Sequence, residues 1–209
     1  MDSSTQTAAP LKVLALVCTL TPSPGASSSD KMAQQFMGEL ARHGATGEVI
    51  RLVDHLIRPG VQKDMGEGDE WPFIRQRILD ADILLVATPT WVGNMSSEAR
   101  RMLERLDAEL SETDAAGRPT MFDKVAVLAV VGNEDGAHAI TADLYQGLSD
   151  IGFTIPAQGV AYWNGEAMHT TDYKDLESTP QEVADAMTTA ARNAAHLTRL
   201  LLASPYPAQ

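Results

Sequence analysis

The sequence predicts one α/β domain in which a sheet of five parallel strands is covered by helices on both faces. Three apolar runs carry this prediction, at residues 13–18, 83–87 and 125–131. None of them alternates apolar with polar residues, which is typical of strands buried on both faces of a parallel sheet. Amphipathic segments between the runs supply the helices that such a sheet needs as crossovers.

The five strands are predicted at residues 12–18, 48–53, 82–88 and 124–131 and within residues 154–162. The second is less uniformly apolar than the first, third and fourth, as expected of a strand near an edge of the sheet. Helical patterns separate the strands, so their connections are predicted to be crossovers rather than hairpins.

The first three helices are predicted from apolar stripes and N-cap residues. An apolar stripe over residues 32–40 stops at Gly44, a residue type that favours the turn after a helix. Asp69 is predicted to cap the second helix, and Ser96 or Ser97 the third.

The last two helices have the clearest end signals. The fourth is predicted to end before Gly152. The fifth begins with Thr179, Pro180 and Glu182 at the N-cap, N1 and N3 positions. This spacing predicts a capping box, in which the Thr179 hydroxyl accepts a backbone N–H of the first turn.

The chain has 209 residues, which suits one domain with its own hydrophobic core. That domain is assigned to residues 11–203, between a disordered N-terminal tail at residues 1–10 and a C-terminal tail at residues 204–209. The first residues lack the basic and apolar regions of a signal peptide, and no apolar run reaches the ~18 residues of a membrane span. We therefore expect a soluble, cytoplasmic protein without a membrane partner.

Charge and cysteine content exclude several functions. The formal net charge of −12 argues against a nucleic-acid partner, because binding a phosphate backbone needs a basic surface. The single cysteine, Cys18, excludes an intrachain disulfide and a cysteine-based metal cluster. Because Cys18 ends an apolar run, we expect a small core residue rather than a reactive thiol, and we predict no metal site.

The ligand site is expected beyond the carboxyl ends of the strands, where open parallel sheets bind their ligands. The loop after the first strand, residues 19–29, opens directly onto the first helix. A helix N-terminus leaves N–H groups unpaired and favours a phosphate. The loop carries no charged side chain, which favours a monophosphate held by neutral donors. Its candidate phosphate-binding residues are Thr19, Thr21, Ser23, Ser27, Ser28 and Ser29.

The loops after the third and fourth strands complete the predicted site. They offer an aromatic ring, backbone amides beside glycines, and polar side chains. Each loop taken singly also fits an ordinary turn, so the prediction depends on their meeting at one edge of the sheet. Together the three loops suit a flat heterocycle with a phosphate-bearing tail. The candidates are Pro89, Thr90, Trp91, Val92, Gly93, Asn94 and Met95 in one loop and Gly132, Asn133, Glu134, Asp135, Gly136 and His138 in the other.

In these loops the chain resembles the flavodoxin-like NADPH-dependent FMN reductase family. The resemblance is to its branch of multimeric flavodoxins related to tryptophan-repressor-binding-protein quinone reductases. The segments that carry it are residues 88–97 and 131–138, with support from 69–72 and 162–166. It extends over roughly residues 12–202 and implies a flavodoxin-like doubly wound sheet of order 2-1-3-4-5, with helices on both faces.

The resemblance also implies the ligands. FMN would be the cofactor and NAD(P)H the co-substrate, with the phosphate in the first loop, the isoalloxazine ring along residues 89–95 and its pyrimidine end at 132–136. Many relatives carry Gly-Ser-x-Arg in the first loop, whereas residues 19–22 here read Thr-Leu-Thr-Pro, without the arginine. A homodimer or homotetramer is implied as well, with residues 54–68 and 161–178 as its expected interface.

The function implied by the resemblance is an FMN-dependent NAD(P)H oxidoreductase that passes hydride via flavin N5 to a quinone or similar small-molecule acceptor. No catalytic side chain is assigned. The amides of Gly93, Asn94 and the 132–136 loop are expected to stabilise negative charge at the flavin N1–O2 side. Candidates for the walls around the substrate are Trp91, Tyr162 and Trp163.

The alternative is a flavodoxin-type one-electron carrier that acts with a protein partner, since high acidity suits docking on a basic surface. The long extra loops favour the enzyme. A phosphoacceptor receiver domain is disfavoured because Thr19, Leu20 and Thr88 stand where it needs carboxylates. A dinucleotide-binding Rossmann domain is disfavoured because no G-x-G-x-x-G follows the first strand.

Overall fold

The computed structural model describes residues 9–167 and 169–208, and its strands form one sheet. Five strands pair in parallel in the order β2-β1-β3-β5-β6, and β4 pairs antiparallel with the end of β3. Counted without the two-residue β4, this is the predicted order 2-1-3-4-5, and the flavodoxin-like fold is confirmed. The strands are β1 (Leu11–Val17), β2 (Ala45–Arg51), β3 (Ile83–Trp91), β4 (Asn94–Met95), β5 (Val125–Gly132) and β6 (Val160–Asn164).

The α-helices of the described residues connect the strands and follow the last one. Ser96 caps the third helix by accepting the N–H of Ala99 at 3.2 Å, and Gly152, at φ +118°, ends the fourth, both as predicted. The helices are α1 (Ser28–Arg42), α2 (Trp71–Asp80), α3 (Ser97–Leu106), α4 (Ala137–Ile151) and α5 (Gln181–Ala203).

The sheet separates two hydrophobic layers, and the residues of β1 alternate between them. Leu14 and Leu16 pack with α2, α3 and α4, whereas Val13, Ala15 and Val17 pack with α1 and α5. Ala15, Leu16 and Val17 are each 0% exposed. The apolar runs of the sequence therefore lack alternation because both faces of the sheet are buried.

The capping box predicted for α5 does not form. Pro180 is the N-cap residue, and no side chain among the described residues caps the helix. The Thr179 hydroxyl instead accepts a hydrogen bond from Gln35 Nε2 at 2.8 Å, and Gln35 Oε1 accepts one from the buried Tyr173 hydroxyl at 2.6 Å. A tertiary contact with α1 thus occupies the oxygen that the local motif would use.

Asp69 does not cap α2 as predicted, because Glu70 is the N-cap residue of this helix, and its side chain makes no capping hydrogen bond. Asp69 lies instead at the centre of a buried cluster. Its side chain and that of Arg105 are both 0% exposed, and two hydrogen bonds of 2.9 and 2.7 Å join them. Arg105 also donates to the carbonyl oxygens of Arg58 and Gln62, at 2.8 Å in each case. This pair therefore fixes the long segment 54–68 against α3.

The predicted tails are described only in part, because residues 1–8 and 209 lie outside the described residues. In the second tail, the Tyr206 N–H donates to Asp123 Oδ1 at 2.8 Å, and its ring centroid lies 5.1 Å from that of Phe122. This part of the tail therefore packs on the domain. Within residues 9–167 and 169–208, no helix combines the length and the apolar composition needed to cross a bilayer.

Candidate functional site

A cleft of about 520 Å³ opens at the carboxyl ends of β1, β3 and β5, where the sequence predicts the ligand site. Its volume lies in the range of small-molecule and cofactor sites. All three predicted loops contribute to it, so the fold brings them together as expected. The predicted residues that line the cleft are Thr19, Thr21, Ser27, Ser28, Ser29, Pro89, Thr90, Trp91, Gly132, Asn133 and Glu134.

The hydroxyls of the first loop differ in whether they can donate to a phosphate. Thr19 Oγ1 accepts the N–H of Thr21 at 3.2 Å, and Ser27 Oγ caps the first turn of α1 by accepting an N–H at 3.3 Å. Ser28 Oγ accepts the N–H of Lys174 at 3.2 Å. A hydroxyl that accepts in this way keeps its own hydrogen to donate. Thr19, Ser27 and Ser28 therefore remain available as phosphate donors.

Ser23 is the predicted first-loop residue that the structure directs away from the cleft. Its hydroxyl donates to Asp54 Oδ2 at 2.6 Å and its N–H to Asp54 Oδ1 at 2.8 Å. These two hydrogen bonds, from the hydroxyl and from the amide, lower the pKa of Asp54. Because the carboxylate takes both donors, the structure gives no support to Ser23 as a phosphate ligand, contrary to the prediction.

Arg51 holds the first loop from outside the cleft. Its Nη1 donates to the carbonyl oxygens of Gly25 at 2.7 Å and Thr21 at 3.3 Å. Its Nη2 lies 3.0 Å from Asp30 Oδ2, and the side chain is 11% exposed. These contacts fix the shape of the first loop, and Arg51 itself does not line the cleft.

The segment after β3 forms a tight hairpin that Glu134 holds in place. Trp91 pairs with Asn94, and the two residues between them, Val92 and Gly93, have positive φ angles of 53° and 71°, as in a type I′ turn. The amides of Val92 and Gly93 donate to Glu134 Oε1 at 2.8 Å and Oε2 at 3.1 Å. The Gly93 amide is therefore not free for the flavin N1–O2 side, contrary to the prediction.

Other predicted residues support the cleft from outside its lining. Met95 is 8% exposed and belongs to the hydrophobic core. His138 Nε2 lies 3.2 Å from the Tyr162 hydroxyl, and neither residue lines the cleft. A Cβ atom at Gly136 would lie 2.7 Å from the Gly93 carbonyl oxygen, so the glycine lets the two loops touch. The predicted residues outside the lining are Ser23, Val92, Gly93, Asn94, Met95, Asp135, Gly136 and His138.

The segment after β6 adds lining residues that the sequence did not assign to the cofactor. Asp172 and Lys174 lie on or beside a short 3₁₀ turn, Tyr173–Asp175, and Asn133 Nδ2 donates to Asp172 Oδ1 at 2.9 Å. Only the unusual length of this connection indicates a role at the ligand site, because its residue types do not show against which part of the fold it packs. The lining residues not assigned to FMN are Leu20, Ala26, Val131, Trp163, His169, Asp172 and Lys174.

The residues that line the cleft match the chemical groups of FMN. Thr90 lines the cleft and is 3% exposed, yet its hydroxyl has no hydrogen-bond partner among the described residues. Buried hydroxyls are normally paired with protein, water or a ligand, so this one is a polar atom at the cleft wall that a ligand or a water molecule would satisfy. Trp91 and Trp163 add aromatic surface for a flat ring, and the first loop adds neutral phosphate donors.

The sheet order and this cleft define a flavodoxin-like protein. The model of the NADPH-dependent FMN reductase family matches residues 11–167, and the chain belongs to this family. FMN is accordingly its cofactor, with NAD(P)H as co-substrate.

Three matches illustrate what the chain is similar to. The 8-demethyl-8-aminoriboflavin-5'-phosphate synthase of Streptomyces davaonensis is 30% identical over 206 residues, which cover 94% of this chain and 80% of that protein. The crystal structure of RosB with the bound intermediate 8-demethyl-8-formylriboflavin-5'-phosphate superposes with a TM-score of 0.85 at 30% identity, covering 94% of this chain and 82% of that one. The divalent metal cation transporter MntH of Mycobacterium bovis is 36% identical over 169 residues, and the match spans 79% of this chain but 25% of the transporter.

Proposed function

We propose that the protein is an FMN-dependent NAD(P)H oxidoreductase that passes hydride from a nicotinamide via flavin N5 to a quinone or similar small-molecule acceptor. The observation that carries this proposal is the cleft, which joins a loop of phosphate donors to two tryptophans. FMN supplies the hydride chemistry when bound, and the protein supplies binding and orientation.

The side chains of the cleft act by position rather than as acids or bases. Trp91 is 54% exposed and Trp163 is half-buried, so both offer ring surface against which a flat nicotinamide or quinone packs. Cys18 is 0% exposed, and its burial, together with the charge of Glu98, raises the pKa of the thiol. This thiol is therefore not a nucleophile at neutral pH, and we assign no catalytic side chain.

We also propose that the chain forms a homodimer or homotetramer, with residues 54–68 and 161–178 at the interface. Arg105 fixes the first of these segments, which exposes Leu56 (57%) and Val61 (49%) to solvent. These exposed apolar side chains are surface that a protein–protein contact would remove from water. Light scattering that gives the mass of a single chain would contradict this assignment.

A second candidate is an enzyme that acts on the flavin itself, so that the FMN it binds is chemically changed in the reaction. The relative that supports it is the 8-demethyl-8-aminoriboflavin-5'-phosphate synthase, which is 30% identical over 94% of this chain. The similar RosB structure holds an FMN derivative with a formyl group in place of the 8-methyl group. This candidate predicts that the flavin itself changes in mass during turnover.

The test is to mix the FMN-loaded protein with NADPH or NADH in a stopped-flow spectrophotometer and then to add a quinone. The proposed function predicts rapid loss of the visible flavin bands with the nucleotide alone, their return with the quinone, and an unchanged flavin mass. A flavin that the nucleotide does not reduce would favour a one-electron carrier with a protein partner. A flavin of altered mass would favour the second candidate.

A further inference from the structure

Lys174 is the only lysine or arginine among the described residues that line the cleft. The first loop has neither residue type between positions 19 and 29, and the whole chain carries a formal net charge of −12. A phosphate monoester is an anion and is bound most strongly by donors that carry positive charge. Lys174 therefore offers the cleft a positively charged donor, which the first loop lacks.

The backbone of Lys174 is fastened to the start of α1. Its N–H donates to Ser28 Oγ at 3.2 Å, and Ser28 itself lines the cleft. Lys31 Nζ donates to the carbonyl oxygens of Tyr173, Lys174 and Leu176, at 3.2, 3.2 and 3.0 Å. The backbone of Lys174 is therefore in direct contact with the loop that carries the proposed phosphate donors.

The ammonium group of Lys174 is held by two carboxylates and keeps one donor. Its Nζ is bonded to Asp172 Oδ2 and, at 2.9 Å, to Asp175 Oδ2, and the side chain is 29% exposed. Hydrogen bonds to Asp172 and then Asp175 raise the pKa of Lys174, so the ammonium stays charged at neutral pH. Because an ammonium has three N–H donors, one remains for a ligand.

We propose that Lys174 binds the phosphate of FMN and thereby makes the cleft prefer FMN to riboflavin. This inference rests on the assignment of FMN to the cleft. The hydroxyls of Thr19, Ser27 and Ser28 supply neutral donors, and Lys174 supplies one charged N–H donor. Riboflavin has no phosphate, so the contribution of Lys174 disappears with that ligand.

The test compares the dissociation constants of FMN and riboflavin, measured by flavin fluorescence, for the flavin-free chain and three variants. Lys174→Gln removes the charge, Lys174→Arg keeps it, and Lys63→Gln is the matched control. Lys63 suits this purpose because it is a half-exposed lysine outside the cleft lining that pairs with Glu112 at 2.8 Å. We expect Lys174→Gln to weaken FMN binding by about tenfold or more and to leave riboflavin binding unchanged. Lys174→Arg should retain most of the FMN affinity, and Lys63→Gln should change neither constant.

Two results would overturn the proposal while FMN still binds the wild-type chain. Lys174→Gln could leave FMN binding unchanged, or it could weaken FMN and riboflavin equally, which would make the lysine a structural residue. If Lys174→Gln does not fold, the wild-type chain decides: it should bind FMN about tenfold or more tightly than riboflavin, and equal dissociation constants for the two ligands would overturn the proposal. If the wild-type chain binds neither flavin, the FMN assignment and this proposal fail together.

Discussion

The Glu134 carboxylate accepts a hydrogen bond from the Val92 amide at 2.8 Å, which joins the loop after β5 to the turn after β3. Its second oxygen accepts the Gly93 N–H at 3.1 Å. Two consecutive amides of one tight turn therefore bind one carboxylate from a neighbouring loop. Since Glu134 and Trp91 both line the cleft, this contact sets the shape of the wall on which the flavin ring is proposed to lie.

Replacing Glu134 by Gln should loosen this hairpin. The amide nitrogen of Gln only donates, so it cannot accept the second of the two backbone N–H groups. We expect a loss of about 1–2 kcal/mol in the free energy of unfolding, measured in urea, together with weaker FMN binding. Asp135→Asn is the control, because it removes the same charge from the exposed neighbouring residue. Equal effects of the two substitutions would contradict a specific role for Glu134.

Thr90→Val should separate ligand binding from stability. The Thr90 hydroxyl has no partner among the described residues, so its removal should leave the flavin-free protein equally or more stable. FMN affinity should fall by about fivefold to tenfold if that hydroxyl binds the ligand.

Thr88→Val provides the contrast, because Thr88 Oγ1 accepts the Ser96 N–H at 3.2 Å inside the core. That change should lower the free energy of unfolding. A Thr90→Val protein that loses stability but keeps its FMN affinity would show that the hydroxyl has a structural partner instead.

Val92→Asn should stabilise the protein by about 1 kcal/mol, because asparagine tolerates the positive φ that strains a β-branched residue. Val92 has φ +53° and is 86% exposed, so little packing is lost in the exchange. Thermal unfolding of the flavin-free protein measures the effect. Val61→Asn, at another exposed valine, should give no gain, and a similar gain at both sites would show that polarity rather than strain is responsible.

The buried pair of Asp69 and Arg105 should dominate the stability of the segment 54–68. Burial opposes ionisation of Asp69, but hydrogen bonds from Arg105 and from the amides of Met65, Arg58 and Trp71 outweigh it and lower the pKa. The stabilisation is therefore present above the unfolded-state pKa of about 3.9 and is lost as pH falls through the lower folded-state pKa.

Arg105→Met leaves the Asp69 charge buried without its cation and should cost about 3–5 kcal/mol at neutral pH. Without Arg105, burial raises the pKa of Asp69, and protonation removes the cost of the buried charge. The difference in the free energy of unfolding between the variant and the wild type should therefore narrow as pH falls. Urea unfolding at a series of pH values checks this. A difference that stays constant with pH would mean that the charge of Asp69 does not cause the loss of stability in Arg105→Met.

The strands and the place of the cleft could be predicted because both depend on local patterns. An unalternating apolar run is produced by burial on two faces, as in β1 and β5, and the parallel arrangement then collects the following loops at one edge. The hydroxyls of Thr19, Ser27 and Ser28 reach the cleft for the same reason.

The contacts that could not be predicted join segments distant in sequence. The sequence predicts Ser23 as a phosphate ligand, but Asp54 lies close enough in the fold to take both of its donors. The sequence does not indicate Lys174, because its place depends on how a long connection packs against Ser28. Neither pairing can be seen in the periodicity or composition of the sequence, because each depends only on which residues the fold brings close together.

The most direct test of the account is a titration of the flavin-free chain with FMN, followed in the visible absorption bands of the flavin. We predict a saturable change in those bands that reaches its end point at one FMN per chain. Bands that remain those of free FMN throughout the titration, with no saturation, would contradict the assignment of this cleft to FMN.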